Sequence, residues 1–275
     1  MRIHPSIIGM AVCLAAGAAL SPLTADATTV TWNFNQPSGT LGTSETYDGV
    51  FNPSTGEIVS ITAYGYKETT TTGGGSTYDS QNSYGPTPTD LYGKNDGTSE
   101  SGLGIADDTD HEIDYTETQS SQNVGTWWKP ELKTVTTVNQ SFVQIDLTHV
   151  LTQFPNTKDA TITIGSLQNP DTAVLSYSDA PGTIGTKITE VSYKTATGAV
   201  GSTTISLANF SLQDPYLTIS SIAPASECSS YTSSVLLNSF QLSYSTSTPT
   251  PEPAASGLLG FAAMGLLLIP RRRAR

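Results

Sequence analysis

Apolar and polar side chains alternate along much of the chain with a repeat of two residues, the mark of β-strands with one face buried. In Phe142-Val143-Gln144-Ile145-Asp146-Leu147 this period places Phe142, Gln144 and Asp146 on one face and Val143, Ile145 and Leu147 on the other. β-Branched and aromatic residues interleaved with Ser and Thr predict strands over 29–35, 58–66, 141–147, 161–167, 173–178, 188–194, 203–207, 216–222 and 235–244. Turn chemistry separates them at Asn52-Pro53, Asn169-Pro170-Asp171, Ala180-Pro181-Gly182, Thr197-Gly198 and Asp214-Pro215. Helical character is confined to 147–154. Short, regularly spaced strands predict an all-β fold, an antiparallel β-sandwich of jelly-roll-like form over 28–242. Two segments break the pattern. Residues 68–88, with Thr at 69–72 and Gly at 73–75, lack the apolar positions a core needs and predict a long mobile polar loop. Residues 243–250 read as a Ser/Thr/Pro linker.

The two chain ends follow other rules. Arg2 and His4 precede an uncharged apolar run over 7–20, and Ala25 and Ala27 occupy the two positions that a signal peptidase inspects. Residues 1–27 therefore predict a secretory signal helix. Cys13 lies inside the apolar run, which excludes a lipoprotein signal. At the other end, Pro251-Glu252-Pro253 leads into 254–269, sixteen residues without a charge, then Pro270 and the basic group Arg271, Arg272, Arg273 and Arg275. A helix of that length spans about 24 Å. Snorkelling arginines and local thinning fit it to a hydrocarbon core of about 30 Å. The arginines place its C-terminus in the cytoplasm and everything before it on the exported face, in agreement with the signal.

Removing both ends changes the charge picture. Residues 28–250 hold seven lysines, no arginine and 22 acidic residues, a formal charge of −15. Nucleic-acid binding, which needs a basic stripe against phosphate, is excluded on this balance. Cys228 then stands without an intramolecular partner, so it is either an inert thiol or a link to another chain.

The tail, with triplet, apolar span and terminal arginines in order over 251–275, resembles the PEP-CTERM sorting signal of Gram-negative bacteria. The resemblance implies recognition by an exosortase, a membrane cysteine transpeptidase, and cleavage near Pro251-Glu252-Pro253. It also implies passage from an inner-membrane-anchored precursor to the cell surface or extracellular matrix, in bacteria that make exopolysaccharide and biofilm. An uncut tail anchor is the alternative. Leu91-Tyr92-Gly93-Lys94-Asn95, Gly102-Leu103-Gly104-Ile105, Asp110-His111-Glu112-Ile113 and the 142–147 strand are similar to an ectodomain that recurs among PEP-CTERM proteins. That match implies fold and location only, since the recurrent ectodomain has no established activity.

Three groups of residues bear on chemistry. Asp107, Asp108, Asp110, Glu112 and Asp114 form an acidic run, and in an extended segment the last four project together. Calcium takes six to eight oxygen ligands, so the run is either a Ca2+ site or a solvated acidic loop. It is no EF-hand: position twelve is Gln119 counted from Asp108 and Ser121 counted from Asp110. Trp127 and Trp128, read as strand neighbours, face opposite ways; one can stack on a sugar ring or pack against a loop. His111 and His149 are the only histidines beyond the signal. With no nucleophile elbow, zinc-ligand cluster or Cys–His dyad, the expectation is a non-enzymatic protein whose alternative role is a carbohydrate- or calcium-binding module. A glycan hydrolase is the distant alternative, because the separation of two carboxylates in space does not follow from their spacing in sequence.

Overall fold

The structure, a computed structural model, describes residues 27–245 except 53–55, 74–81, 98, 108–109, 124, 155–156, 158, 170, 193–199, 209–213 and 223–229. The expected signal segment before Ala27, the sorting tail, Cys228 and Asp108 lie outside the described residues. In chain order the strands are β1 (Ala27–Asn33), β2 (Gly39–Gly42), β3 (Ser44–Asn52), β4 (Glu57–Gly73), β5 (Asn82–Pro88), β6 (Leu91–Asn95), β7 (Ser101–Ile105) and β8 (Ile113–Asn123). There follow β9 (Leu132–Asp146), the helix α1 (Thr148–Gln153), β10 (Asp159–Leu167), β11 (Thr172–Ser178), β12 (Thr186–Ser192), β13 (Gly201–Ala208), β14 (Tyr216–Ile222) and β15 (Ser230–Ser245). All the pairings among them are antiparallel, and the fold is an all-β sandwich.

Three long strands organise it. β9 runs beside β4 from Thr62↔Asp146 to Gly73↔Val135, and on its other side meets β14 and then β8. β4 continues outward to β3 and β5, and β14 to β11 and β12. β15 joins this sheet to the second one. Its first residues pair with β8 at Ser230↔Thr118, and its later ones lie between β10 and β1. The small strands β7, β6 and β2 follow in turn from Leu237↔Leu103.

Between the sheets sits one apolar core. Trp32 and Phe240 stack at 5.5 Å, and Phe34 meets Tyr47 edge-on at 4.7 Å. Trp32 Nε1–H donates across the sandwich to the Val59 carbonyl at 2.9 Å, so the indole buries no orphan donor. Val143, Ile145 and Leu147 enter this core as their period predicts. The opposite face of β9 is buried as well: Phe142 stacks on Tyr66 at 5.2 Å, and Gln144 is covered by the 179–185 loop. Burial on both faces is what blurs a two-residue period.

The helix expected over 147–154 is α1, and the Asp146 carboxylate accepts the Thr148 N–H at 2.8 Å at its start. Residues 68–88 depart from expectation. Glu68–Gly73 complete β4 and 82–88 form β5, so what read as a loop is largely strand. The linker boundary also moves, because 243–245 remain within β15, paired to β1. Ala27, the expected last signal residue, is the first of β1 and pairs with Ser245.

Beyond the sandwich, β8, β9, β4 and β5 prolong one sheet into a four-stranded arm. β4 ends and β5 begins towards its far end, and β8 ends and β9 begins there too. β4 begins at the opposite end, where Phe51, Phe154 and Tyr244 cluster at 4.6–5.3 Å and Tyr244 Oη–H donates to the Phe51 carbonyl. Ala27 and Ser245 lie at that same end. The ends of the described domain are thus separated from the arm tip by the length of β4, 17 residues or about 55 Å.

Candidate functional site

The described members of the acidic run divide: Asp107 and Asp114 line one small pocket, Glu112 pairs with Lys94, and Asp110 is exposed. Asp107 lies in a turn and residues 110–112 are not extended; His111 adopts φ 62 with its ring stacked on Tyr92 at 3.9 Å. Side-chain alternation is lost there. Asp110 faces solvent, whereas Glu112 and Asp114 turn inward. Glu112 Oε1 accepts from Lys94 Nζ at 2.5 Å and from Ser166 Oγ at 2.6 Å. Burial acts to lower the Lys94 pKa, but the Glu112 carboxylate, helped by Glu100 and Asp96, more than reverses this, and the net shift is upward. Ser166 takes a left-handed backbone, φ 54, and its N–H donates to the Ser99 carbonyl at 2.7 Å. This ion pair belongs to the frame that joins β6, β8 and β10.

Asp107 bonds Lys67, and together with Asp114, Thr116, Asn139, Gln140 and Ser141 these two line a small polar pocket at the base of the arm. Ser141 Oγ accepts the Asp114 N–H at 2.7 Å. The registers of β4, β9 and β8 continue this face outward as rows of cross-strand neighbours. Thr69, Asn139 and Thr116 form one row and Thr71, Thr137 and Thr118 the next. Thr69 Oγ1 donates to Asn139 Oδ1 at 2.8 Å. Hydroxyl and amide groups thus run from the pocket towards the tip.

At the tip Trp127 and Trp128 are the two central residues of a tight turn closed by the Thr126↔Lys129 bridge, with Lys129 N–H donating to the Thr126 carbonyl at 2.9 Å. They are not strand neighbours, and neither enters a core. Trp127 is 87% exposed and Trp128 70%, their rings edge-to-face at 5.3 Å with 80° between planes. The turn is held. Asn123 Oδ1 accepts the N–H groups of Gly125 and Glu131 at 3.1 and 3.2 Å. A Cβ on Gly125 would fall 2.1 Å from the Lys129 carbonyl oxygen, so the loop closes only around glycine here.

A second buried polar network lies where β11, β14 and β15 meet, and nothing in the sequence pattern marked it. Asp171 accepts the Gln168 N–H at 2.7 Å and the Ser234 N–H at 3.4 Å; Ser233 Oγ bonds Ser221 Oγ at 2.5 Å and accepts the Thr172 N–H at 3.1 Å. Burial raises the Asp171 pKa to about 6; the backbone donors partly oppose this, and the Glu112 charge adds to it. At the arm base, burial and the bonded, charged Glu117 push the Tyr115 phenol up to about 12. His149 is exposed on α1. Among the described residues no group of three or more His, Cys, Asp or Glu side chains is arranged to hold a metal ion. Among them also, no helix is long and apolar enough to cross a membrane.

The chain matches no model of a protein family, no curated protein and no solved structure among those compared. Fold and surface define an all-β sandwich with a polar arm that carries two exposed tryptophans at its tip.

Proposed function

We propose that the chain is an exported, membrane-sorted surface or extracellular-matrix protein, non-enzymatic, that works in association with exopolysaccharide or biofilm. The observation that carries this reading is the order of segments at the C-terminus: Pro251-Glu252-Pro253, an uncharged span and an arginine cluster, behind a domain that follows a signal-like N-terminus. On this reading residues 1–27 are the signal helix and 254–269 a membrane helix, flanking a jelly-roll-like sandwich. Signal peptidase and an exosortase are the processing partners, and the tail has the form of a PEP-CTERM sorting signal. The domain's acidity suits an exported, soluble body.

The test is the mass of the protein recovered from its native host. Exported protein that lacks its last ~25 residues, counted from Pro251, supports sorting. Full-length protein found solely in the membrane would instead identify an uncut anchor.

A further inference from the structure

The geometry points to the arm tip as a docking site for a neutral polysaccharide, one sugar ring of which seats in the corner between Trp127 and Trp128. Large aromatic rings are normally buried, and two adjacent ones held in water have no role in folding this domain. The backbone that presents them is built, through Asn123 and the Gly125 turn, so the rings project without help from a core. Each Trp face offers a rigid apolar surface to the C–H face of a pyranose, at little cost in side-chain entropy. At 80° to one another the rings form a corner rather than a flat platform: one carries the face of a sugar, the other its edge. The rows of Thr and Asn behind the tip supply hydroxyl and amide partners for further sugar hydroxyls.

Charge also favours a neutral glycan. The arm segments 67–73, 82–88, 115–123 and 125–139 hold three lysines and three acidic residues, so the arm carries no net charge with which to hold an anionic or a cationic partner. Ala27 and Ser245 sit at the far end of the domain from the tip. Only an extracellular setting for the glycan rests on the proposed sorting. Failure of tail processing would leave binding to a glycan unchanged, so the two can fail separately.

The experiment uses the purified full chain in a detergent without a sugar head group, on a printed panel of neutral glucans, mannans, galactans and xylans. Wild type should be retained by at least one. Trp127→Ala and Trp128→Ala should each weaken retention about tenfold while leaving the melting temperature in place, and Trp→Phe at both positions should restore most of it. Equal retention of wild type and alanine variants, or retention by no glycan, overturns the proposal. So does a tryptophan-dependent gain in sedimentation with phosphatidylethanolamine/phosphatidylglycerol vesicles when no glycan is retained, which would assign the tip to a membrane. Tryptophan-dependent self-association without glycan retention would assign it to a second copy of the chain.

Discussion

Gly49 gives a direct test of how the two sheets are packed. It lies in β3 opposite Val59, the residue whose carbonyl accepts the Trp32 indole N–H. A Cβ at this position would stand 2.6 Å from Val30 Cγ1, 2.7 Å from Trp32 Nε1 and 2.8 Å from Trp32 Cε2. Favourable contact begins near 3.5 Å, so Gly49→Ala must displace the indole, the Val30 methyl or the strand. Overpacking of this kind costs about 1–3 kcal/mol, and weakening the indole hydrogen bond adds about 1 kcal/mol. Against this stands the ordinary gain of about 0.5–1 kcal/mol on replacing glycine within a strand. The net expectation is a loss of about 2 kcal/mol, or about 4–8 °C in melting temperature for a domain of this size. Trp32→Phe removes the atoms responsible for two of the three close approaches, at the cost of a cavity and a buried carbonyl without its donor. In that background Gly49→Ala should cost less than about 1 kcal/mol, so the double-mutant cycle should show coupling of about 1–2 kcal/mol. Urea unfolding followed by far-ultraviolet circular dichroism measures all four corners. Additive losses, or a Gly49→Ala protein as stable as wild type, would show that the indole does not lie against β3.

Two further outcomes test the buried polar groups. Gln144 donates to Thr183 O at 3.0 Å and Thr218 Oγ1 at 3.2 Å and accepts the Gly182 N–H at 2.8 Å, so Gln144→Leu should cost about 2–3 kcal/mol in urea unfolding and expose the 179–185 loop to proteolysis; unchanged cleavage there would refute its role as the loop's anchor. Asp171, with its folded pKa raised to about 6, favours the protonated folded state; the stability this contributes is complete below about pH 4 and is lost as pH rises through about 6. Stability should therefore fall by about 3 kcal/mol across that window at most, and Asp171→Asn should flatten the slope; an unaltered slope in the variant would place the proton elsewhere.

How much of this was legible depended on where each strand finds its partner. β14 is legible to the residue at 216–222, and β10 and β11 nearly so, because their β-branched and apolar residues form short runs bounded by turns that carry Pro or Gly. β6 and β7, LYGKN and SGLGI, contain glycines where a strand pattern expects bulk, and their burial comes from β15 and the chain around His111. The outer parts of β4 and β8 are Thr, Ser and Gln in sequences such as ETQSSQN, β5 is NSYGPTP, and the apolar residues of outer β9, Leu132, Val135 and Val138, fall three apart, so none shows the two-residue apolar stripe of a strand. They are strands because β4 and β9 already run in register through the core, and each further rung adds cross-strand hydrogen bonds and hydroxyl pairs along a ladder that is already formed. The acidic run misled for a related reason. A two-residue period holds only in an extended chain, and the turn at His111 sends Glu112 inward to Lys94 while leaving Asp110 in water.

The same ladder explains why the tryptophans stand where they do. A surface loop on the sandwich would leave two large rings free to fold back onto the nearest apolar patch, which is the usual fate of exposed aromatics. Along the arm most side chains are Thr, Gln, Asn and Ser, and Leu132 near the tip is itself 72% exposed, so the rings have no core to join; Asn123 bonds two N–H groups of the turn. Distance from the body also removes the tip from the strongest part of a −15 field, since charges separated by more than about 8–10 Å are largely screened in salt. A polar, neutral arm is thus the arrangement that keeps two aromatic rings exposed, fixed and accessible to an uncharged ligand. Its Thr-rich sequence, which reads as a loop when taken alone, is what prevents the tip from burying itself.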